Sequence, residues 1–78
     1  MKNLSTNKEK LKIGGIYKHY KGALYQVLYL AKHSESLEPL VIYQDIENLD
    51  LIWARPLEMF LEHGVFNHVK QNRFQFIY

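Results

Sequence analysis

Apolar and polar residues alternate through most of this chain, and a two-residue period predicts strands rather than helices. In residues 24–32, Tyr25, Val27, Tyr29 and Ala31 fall on one face, while Leu28 and Leu30 fall on the other. Apolar residues on both faces imply a strand covered on two sides, or one whose pleat shifts at a bulge. In residues 40–46, Val41, Tyr43 and Asp45 take one side, and Leu40, Ile42, Gln44 and Ile46 the other. Residues 13–21 form a strand candidate through Ile16, Tyr17 and Tyr20, which favour pleated structure. Residues 51–55 form a short strand, extended at Arg55 because Pro56 disfavours the helical region before it. Residues 73–78 alternate Phe74, Phe76 and Tyr78 and close the series.

The period changes once. Leu57, Phe60 and Leu61 lie at helical spacing, with Pro56 suited to a first helical position and Gly64 to the position just past the end. A short helical turn is therefore expected over 56–63. Residues 65–71 show neither period and read as irregular. Five short antiparallel strands with one helical turn predict a mostly β fold: a single small Src-homology-3-like barrel, with an OB-like barrel as the alternative. Residues 1–12 are polar and read as a flexible basic tail, leaving 13–78 as the one domain.

Composition narrows the picture. Of the 78 residues, 47% are hydrophobic and 23% charged, a globular balance, and so short a chain buries little surface, which makes a homodimer an open expectation. There is no cysteine, hence no disulfide framework and no thiolate zinc site. The first residues lack the apolar core of a signal peptide, no apolar run approaches a membrane span, and a soluble, cytoplasmic protein is expected. The pI of about 8.9 invites a nucleic-acid partner. However, residues 1–12 carry four lysines against Glu9, whereas 13–78 carry six basic groups against seven acidic ones, a net −1. The basic character belongs to the tail, so nucleic acid is not the favoured partner of the folded part.

The candidate chemistry lies in two places. His33-Ser34-Glu35 puts a base, a hydroxyl and a carboxylate into one connection. A nucleophilic triad needs them hydrogen-bonded in a line, and consecutive extended residues point to opposite sides. A loop shaped by Ser34 and Ser36 bonding to backbone amides is the simpler reading. Trp53 and Arg55 share one side of a strand and, with Tyr17, Tyr25 or Tyr43, could form an aromatic groove for a peptide, a base or a cation. Against this stand a core role for Trp53 and an ion pair of Arg55 with Glu35, Glu38 or Glu58. Arg73 is a surface salt bridge or a second anion-binding arm. The four histidines lack metal-ligand spacing, although His19 and His33 would approach each other if their strands paired suitably.

His19-Tyr20-Lys21-Gly22, Tyr25-Gln26-Val27-Leu28, His33-Ser34-Glu35, Leu37-Glu38, Val41-Ile42-Tyr43, Trp53-Ala54-Arg55-Pro56-Leu57-Glu58-Met59-Phe60 and Arg73-Phe74 resemble the bacterial domain-of-unknown-function family numbered 1653. The blocks cover residues 14–75 in order; the connections at Pro39 and at 45–51 differ from the family's pattern. The resemblance implies a small, mostly β domain with no assigned activity. The reading reached is a binding module that recognises a protein, peptide or small ligand through His19, Tyr25, His33, Ser34, Glu35, Tyr43, Trp53, Arg55 and Arg73. No cofactor, metal or membrane contact is expected. The alternatives are a nucleic-acid-binding domain aided by the tail, and a small hydrolase or transferase using His33 and Glu35.

Overall fold

The alternating segments become strands in the computed structural model, which describes residues 10–78. The elements are β1 (Ile16–His19), β2 (Leu24–Lys32), β3 (Pro39–Asp45), β4 (Ile52–Pro56), α1 (Leu57–Phe60), β5 (His63–Phe66), β6 (Val69–Asn72) and β7 (Phe74–Phe76). Residues 1–9, most of the predicted tail, lie outside the described residues. Packing begins at Leu11, which is buried, and the Lys12 amide donates to the Tyr17 hydroxyl at 3.0 Å.

Five strands form one antiparallel sheet in the order β4-β3-β2-β1-β7, and β5 and β6 form a separate pair. The fold is mostly β with one short helix, as the period predicts. The expected closed barrel is corrected to an open sheet with β4 and β7 at its edges. The physical reason lies in residues 63–72, which pair with each other and leave no strand to join β7 to β4.

The apolar residues on both faces of β2 are explained by a bulge. Register with β3 shifts between Val27 and Tyr29, so Leu28 is the extra residue. Before the bulge Val27 is buried; after it Leu30 packs on the core and Tyr29 turns outward, 67% exposed. Each face of the strand is thus apolar over the stretch where it faces inward.

Two expectations near the C-terminus fail for one reason. The helix ends at Phe60, and Gly64 sits inside β5 rather than past a helix end. Residues 65–71 are not irregular: β5 and β6 form a hairpin turned at Asn67 and His68, with φ of 57° and 66°. Positive φ at both central residues marks a type I′ turn, the geometry that suits the twist of paired strands. Asn and His tolerate the left-handed region better than most residues, so the turn forms without a glycine to signal it.

The core is aromatic. Phe60 and Phe74 stack with ring centres 4.1 Å apart and planes within 9°. Tyr17 and Tyr43 meet Phe60 edge-on at 5.1 and 5.3 Å, and Leu11, Val27, Val41 and Leu57 complete the buried set. Phe60→Ala is expected to lose about 3–5 kcal/mol of unfolding free energy in denaturant titration. A loss below about 1 kcal/mol would contradict this packing. His68→Gly is expected to raise stability by up to about 1 kcal/mol, because glycine adopts the left-handed turn without steric cost; a decrease would count against the turn type.

Candidate functional site

The site is built where β1 ends and the sheet is capped by aromatic residues. A turn after His19 is closed by the His19 amide on the Ala23 carbonyl and the Gly22 amide on the His19 carbonyl, at 2.9 and 2.7 Å. Gly22 adopts φ of 113°, which a side chain would resist. The same turn fixes the imidazole: His19 Nδ1 accepts the Lys21 amide at 3.1 Å. The neutral ring therefore carries its proton on Nε2, as a donor. Partial burial and then the positive charges of Arg55, Lys21 and Arg73 hold its pKa below the ordinary histidine value, favouring that neutral form.

Arg55 reaches the site from β4. It is half-buried, its Nε donates to the Tyr43 hydroxyl at 3.1 Å, and its guanidinium lies 5.7 Å from the centre of the Phe74 ring. Among the described residues it makes no ion pair, so the expected partners Glu35, Glu38 and Glu58 do not neutralise it. Tyr43 is itself buried between strands, so the hydroxyl that orients the guanidinium is held rigidly. Tyr25 stands beside it, its ring 5.3 Å from that of Tyr43. Burial, and then Asp45 and Tyr43, push the Tyr25 hydroxyl pKa up, so it stays protonated.

Arg55 is one end of a continuous series of rings. His19 meets Phe74 edge-on at 4.9 Å, Tyr20 lies against His19 at 4.3 Å, and Phe66 stacks on Tyr20 at 5.0 Å. Arg73 closes the series, 4.7 Å from the centre of Phe66. Arg73 pairs with Glu62 at 2.7 Å, while its Nε is buried without a partner among the described residues. Of the two alternatives raised for Arg73, the structure shows the salt bridge. Sequence reasoning missed Tyr20, Phe66 and Phe74 in this series. The pairing of β1 with β7 sets His19 opposite Phe74, and the β5–β6 hairpin brings Phe66 to Tyr20.

The structure divides the nine predicted residues. His19, Tyr25, Tyr43, Arg55 and Arg73 gather around this ring series. Trp53 does not fill the core: it is 47% exposed on the edge strand β4. His33, Ser34 and Glu35 lie beyond the far end of β2, separated from His19 by the length of that strand. His19 and His33 therefore do not approach each other. Among the described residues no three histidine, aspartate or glutamate side chains converge on a metal position. No described helix is long and apolar enough to cross a membrane.

The loop after β2 is internally bonded. His33 Nδ1 accepts the amides of Glu35 and Ser36 at 3.1 and 3.3 Å, and Ser36 Oγ accepts the Glu38 amide at 3.3 Å. The His33 and Leu37 amides close the loop on the Glu38 and His33 carbonyls. Leu37 takes φ of 65°, an uncommon conformation for a bulky residue, and these bonds impose it. The imidazole faces backbone amides, not the Ser34 hydroxyl or the Glu35 carboxylate.

A family model described as a protein of unknown function (DUF1653) matches residues 15–76, a span that contains all nine predicted residues. The chain is similar to a crystal structure of a DUF1653 protein from Bordetella bronchiseptica, with 28% identity and a TM-score of 0.76. The alignment covers 88% of this chain and 90% of that one. No curated protein matches the chain.

The hydrogen bonds of the loop separate two roles inside one motif. His33→Ala is expected to lose about 1 kcal/mol, since two amides lose their acceptor at a solvated site. Glu35→Ala is expected to change stability by less than about 0.5 kcal/mol. Chemical denaturation of both variants checks this, and a larger loss for Glu35→Ala than for His33→Ala would refute the assignment.

Proposed function

The chain belongs to the DUF1653 family of proteins of unknown function, and from the geometry we propose that it is a binding module for an anionic group, a carboxylate or a phosphate, held by Arg55. The observation that carries this reading is the state of Arg55. A half-buried guanidinium, oriented by the Tyr43 hydroxyl and without a carboxylate among the described residues, leaves its terminal N–H groups uncommitted. Burying a charge without a partner is unfavourable, and a bound anion would offset that cost through charge-assisted, bidentate hydrogen bonds.

The neighbours fit the same ligand. The His19 Nε2–H is a second donor beside the same Phe74 ring, and Tyr25 lines the approach. Arg73, at the far end of the rings, is paired with Glu62, which leaves Arg55 as the uncompensated charge of the series among the described residues. His19, Tyr20 and Phe66, which are partly exposed, offer apolar edges to the remainder of the ligand, while Phe74 supports them from the core. Nothing in this arrangement supplies a nucleophile with an adjacent base, so binding accounts for it better than catalysis does.

The test is an NMR titration of the isotope-labelled protein with inorganic phosphate, acetate and adenosine monophosphate. Shifts are expected at Arg55, Tyr43, His19 and Tyr25, with affinity reduced roughly tenfold or more in Arg55→Gln. A bound anion stabilises the imidazolium, so the His19 pKa, now lowered by partial burial and then by its cationic neighbours, is expected to rise on saturation. Shifts confined to residues 33–38, or binding that vanishes when residues 1–9, which precede the buried Leu11, are removed, would overturn the reading. The latter result would favour the nucleic-acid alternative.

A further inference from the structure

We propose that Trp53 is the stacking wall of the Arg55 site, so that the anion held there belongs to a small molecule with a flat ring. This inference deepens the anion reading of Arg55 and rests on it. Register sets Trp53 opposite Tyr43 and Arg55 opposite Val41. Directly opposed residues share a face of the sheet, and Tyr43 and Val41 both belong to the buried core. Trp53 and Arg55 therefore stand side by side on the inner face, at its β4 rim. Side chains two apart on one strand begin about 7 Å from each other, within reach of a single small molecule.

Trp53 is the ring of this face that the fold leaves unused. Tyr43, directly across from it, is 4% exposed and meets Tyr25, Phe60 and Phe74 edge-on, each at 5.3 Å. Among the described residues Trp53 meets no other ring, and it is 47% exposed. The rings on the β1 side of Arg55 are spent differently. Phe66 stacks on Tyr20 and His19 lies against it, so those rings offer edges more than faces. A lone exposed apolar side chain needs no explanation by itself. Here its neighbour supplies one: a guanidinium held by the Tyr43 hydroxyl, with its terminal N–H groups uncommitted. Tyr43 thus holds both parts, Trp53 through the strand pairing and Arg55 through the hydroxyl.

Charge sets the orientation of the ligand. Asp45 lies on the same face two residues beyond Tyr43, on the side away from Arg55 and opposite Tyr25. Its Oδ1 accepts the Glu47 and Asn48 amides at 2.7 and 3.2 Å, which fixes the carboxylate there. An anionic group is attracted at Arg55 and repelled at Asp45, so the indole between them receives the uncharged ring. An indole face favours a flat partner stacked with an offset, and such stacking tolerates many rings. The ligand class is therefore a phosphate or carboxylate joined to a flat ring, which a nucleoside monophosphate or an aromatic acid supplies.

Trp53 is the chain's single tryptophan, so its fluorescence reports on this site alone. The test compares adenosine monophosphate with ribose phosphate, and phenylacetate with acetate, by fluorescence and by NMR shifts at Arg55 and Tyr43. In at least one pair the ringed anion is expected to bind roughly tenfold tighter and to change the Trp53 emission. The pair that shows the preference identifies the source of the ring. Trp53→Leu, followed by NMR, is expected to abolish the preference and to leave the ringless anion bound as before. Trp53→Phe is expected to keep it. Circular dichroism confirms that both variants are folded; if one is not, the other decides. Equal binding of ringed and ringless anions would overturn the proposal and leave the anion reading standing. So would a preference that survives in Trp53→Leu or is lost in Trp53→Phe. Adenosine binding as tightly as its monophosphate, or no binding by any of these compounds, would overturn both.

Discussion

The stacking of Phe60 on Phe74 is the contact on which the remaining structure depends. Phe60 rides on a helix of a single turn, far too short to persist alone. Phe74 opens a three-residue strand. Neither element has stability of its own, and each is held because its ring lies flat on the other's. Tyr17 and Tyr43 then set their edges against this pair, so strands β1 and β3 are fixed to the same two rings. In a domain without disulfides, this concentration of aromatic contact replaces the covalent staples that many chains of this size need.

Phe74 also links the core to the surface. One side of its environment is the buried Phe60; His19, Tyr25 and Arg55 make up another. The candidate site is therefore an extension of the packing, not a loop added to it. Its polar atoms are positioned by groups that have no freedom to move: a buried tyrosine hydroxyl for Arg55 and a glycine-dependent turn for His19. Preorganisation of this kind lowers the ordering cost of binding. The loop after β2 has the opposite character. Its polar residues are spent on each other and on the backbone, and its strained Leu37 is held by those bonds.

How far the sequence revealed this depended on whether the signal was local. Alternation, β-favouring residues and Pro56 located β1 to β4, and apolar residues on both faces of β2 allowed either cover on two sides or a bulge, which the register places at Leu28. The hairpin of β5 and β6 was hidden because Asn67 and His68 make its turn without glycine, and because Gly64 imitated a helix end. At the site, His19, Tyr25, Tyr43 and Arg55 were identifiable as polar and aromatic residues beyond what a core requires. Phe74, Tyr20 and Phe66 were not, since Phe74 joins the group through the pairing of β7 with β1, and Phe66 reaches Tyr20 from the separate β5–β6 hairpin. The motif His33-Ser34-Glu35 drew attention by composition, yet its geometry places each side chain out of line with the others. Trp53 was judged by its size, while the edge position of β4 decides its exposure.

The pairing of β1 with β7 has a consequence for how the domain forms. The β2–β3 and β3–β4 connections are short, so those hairpins can close early and locally. Tyr17 and Phe76, by contrast, are opposite each other across nearly the whole described chain. Closing so long a loop costs entropy before any contact is gained, and such closures slow folding. Until it occurs, the meander of β2, β3 and β4 carries Val27, Val41 and Tyr43 on a face that has lost both Phe74 and its stacked partner. The species most exposed to misassembly is thus the folding chain whose last strand has not yet returned, and not the finished domain.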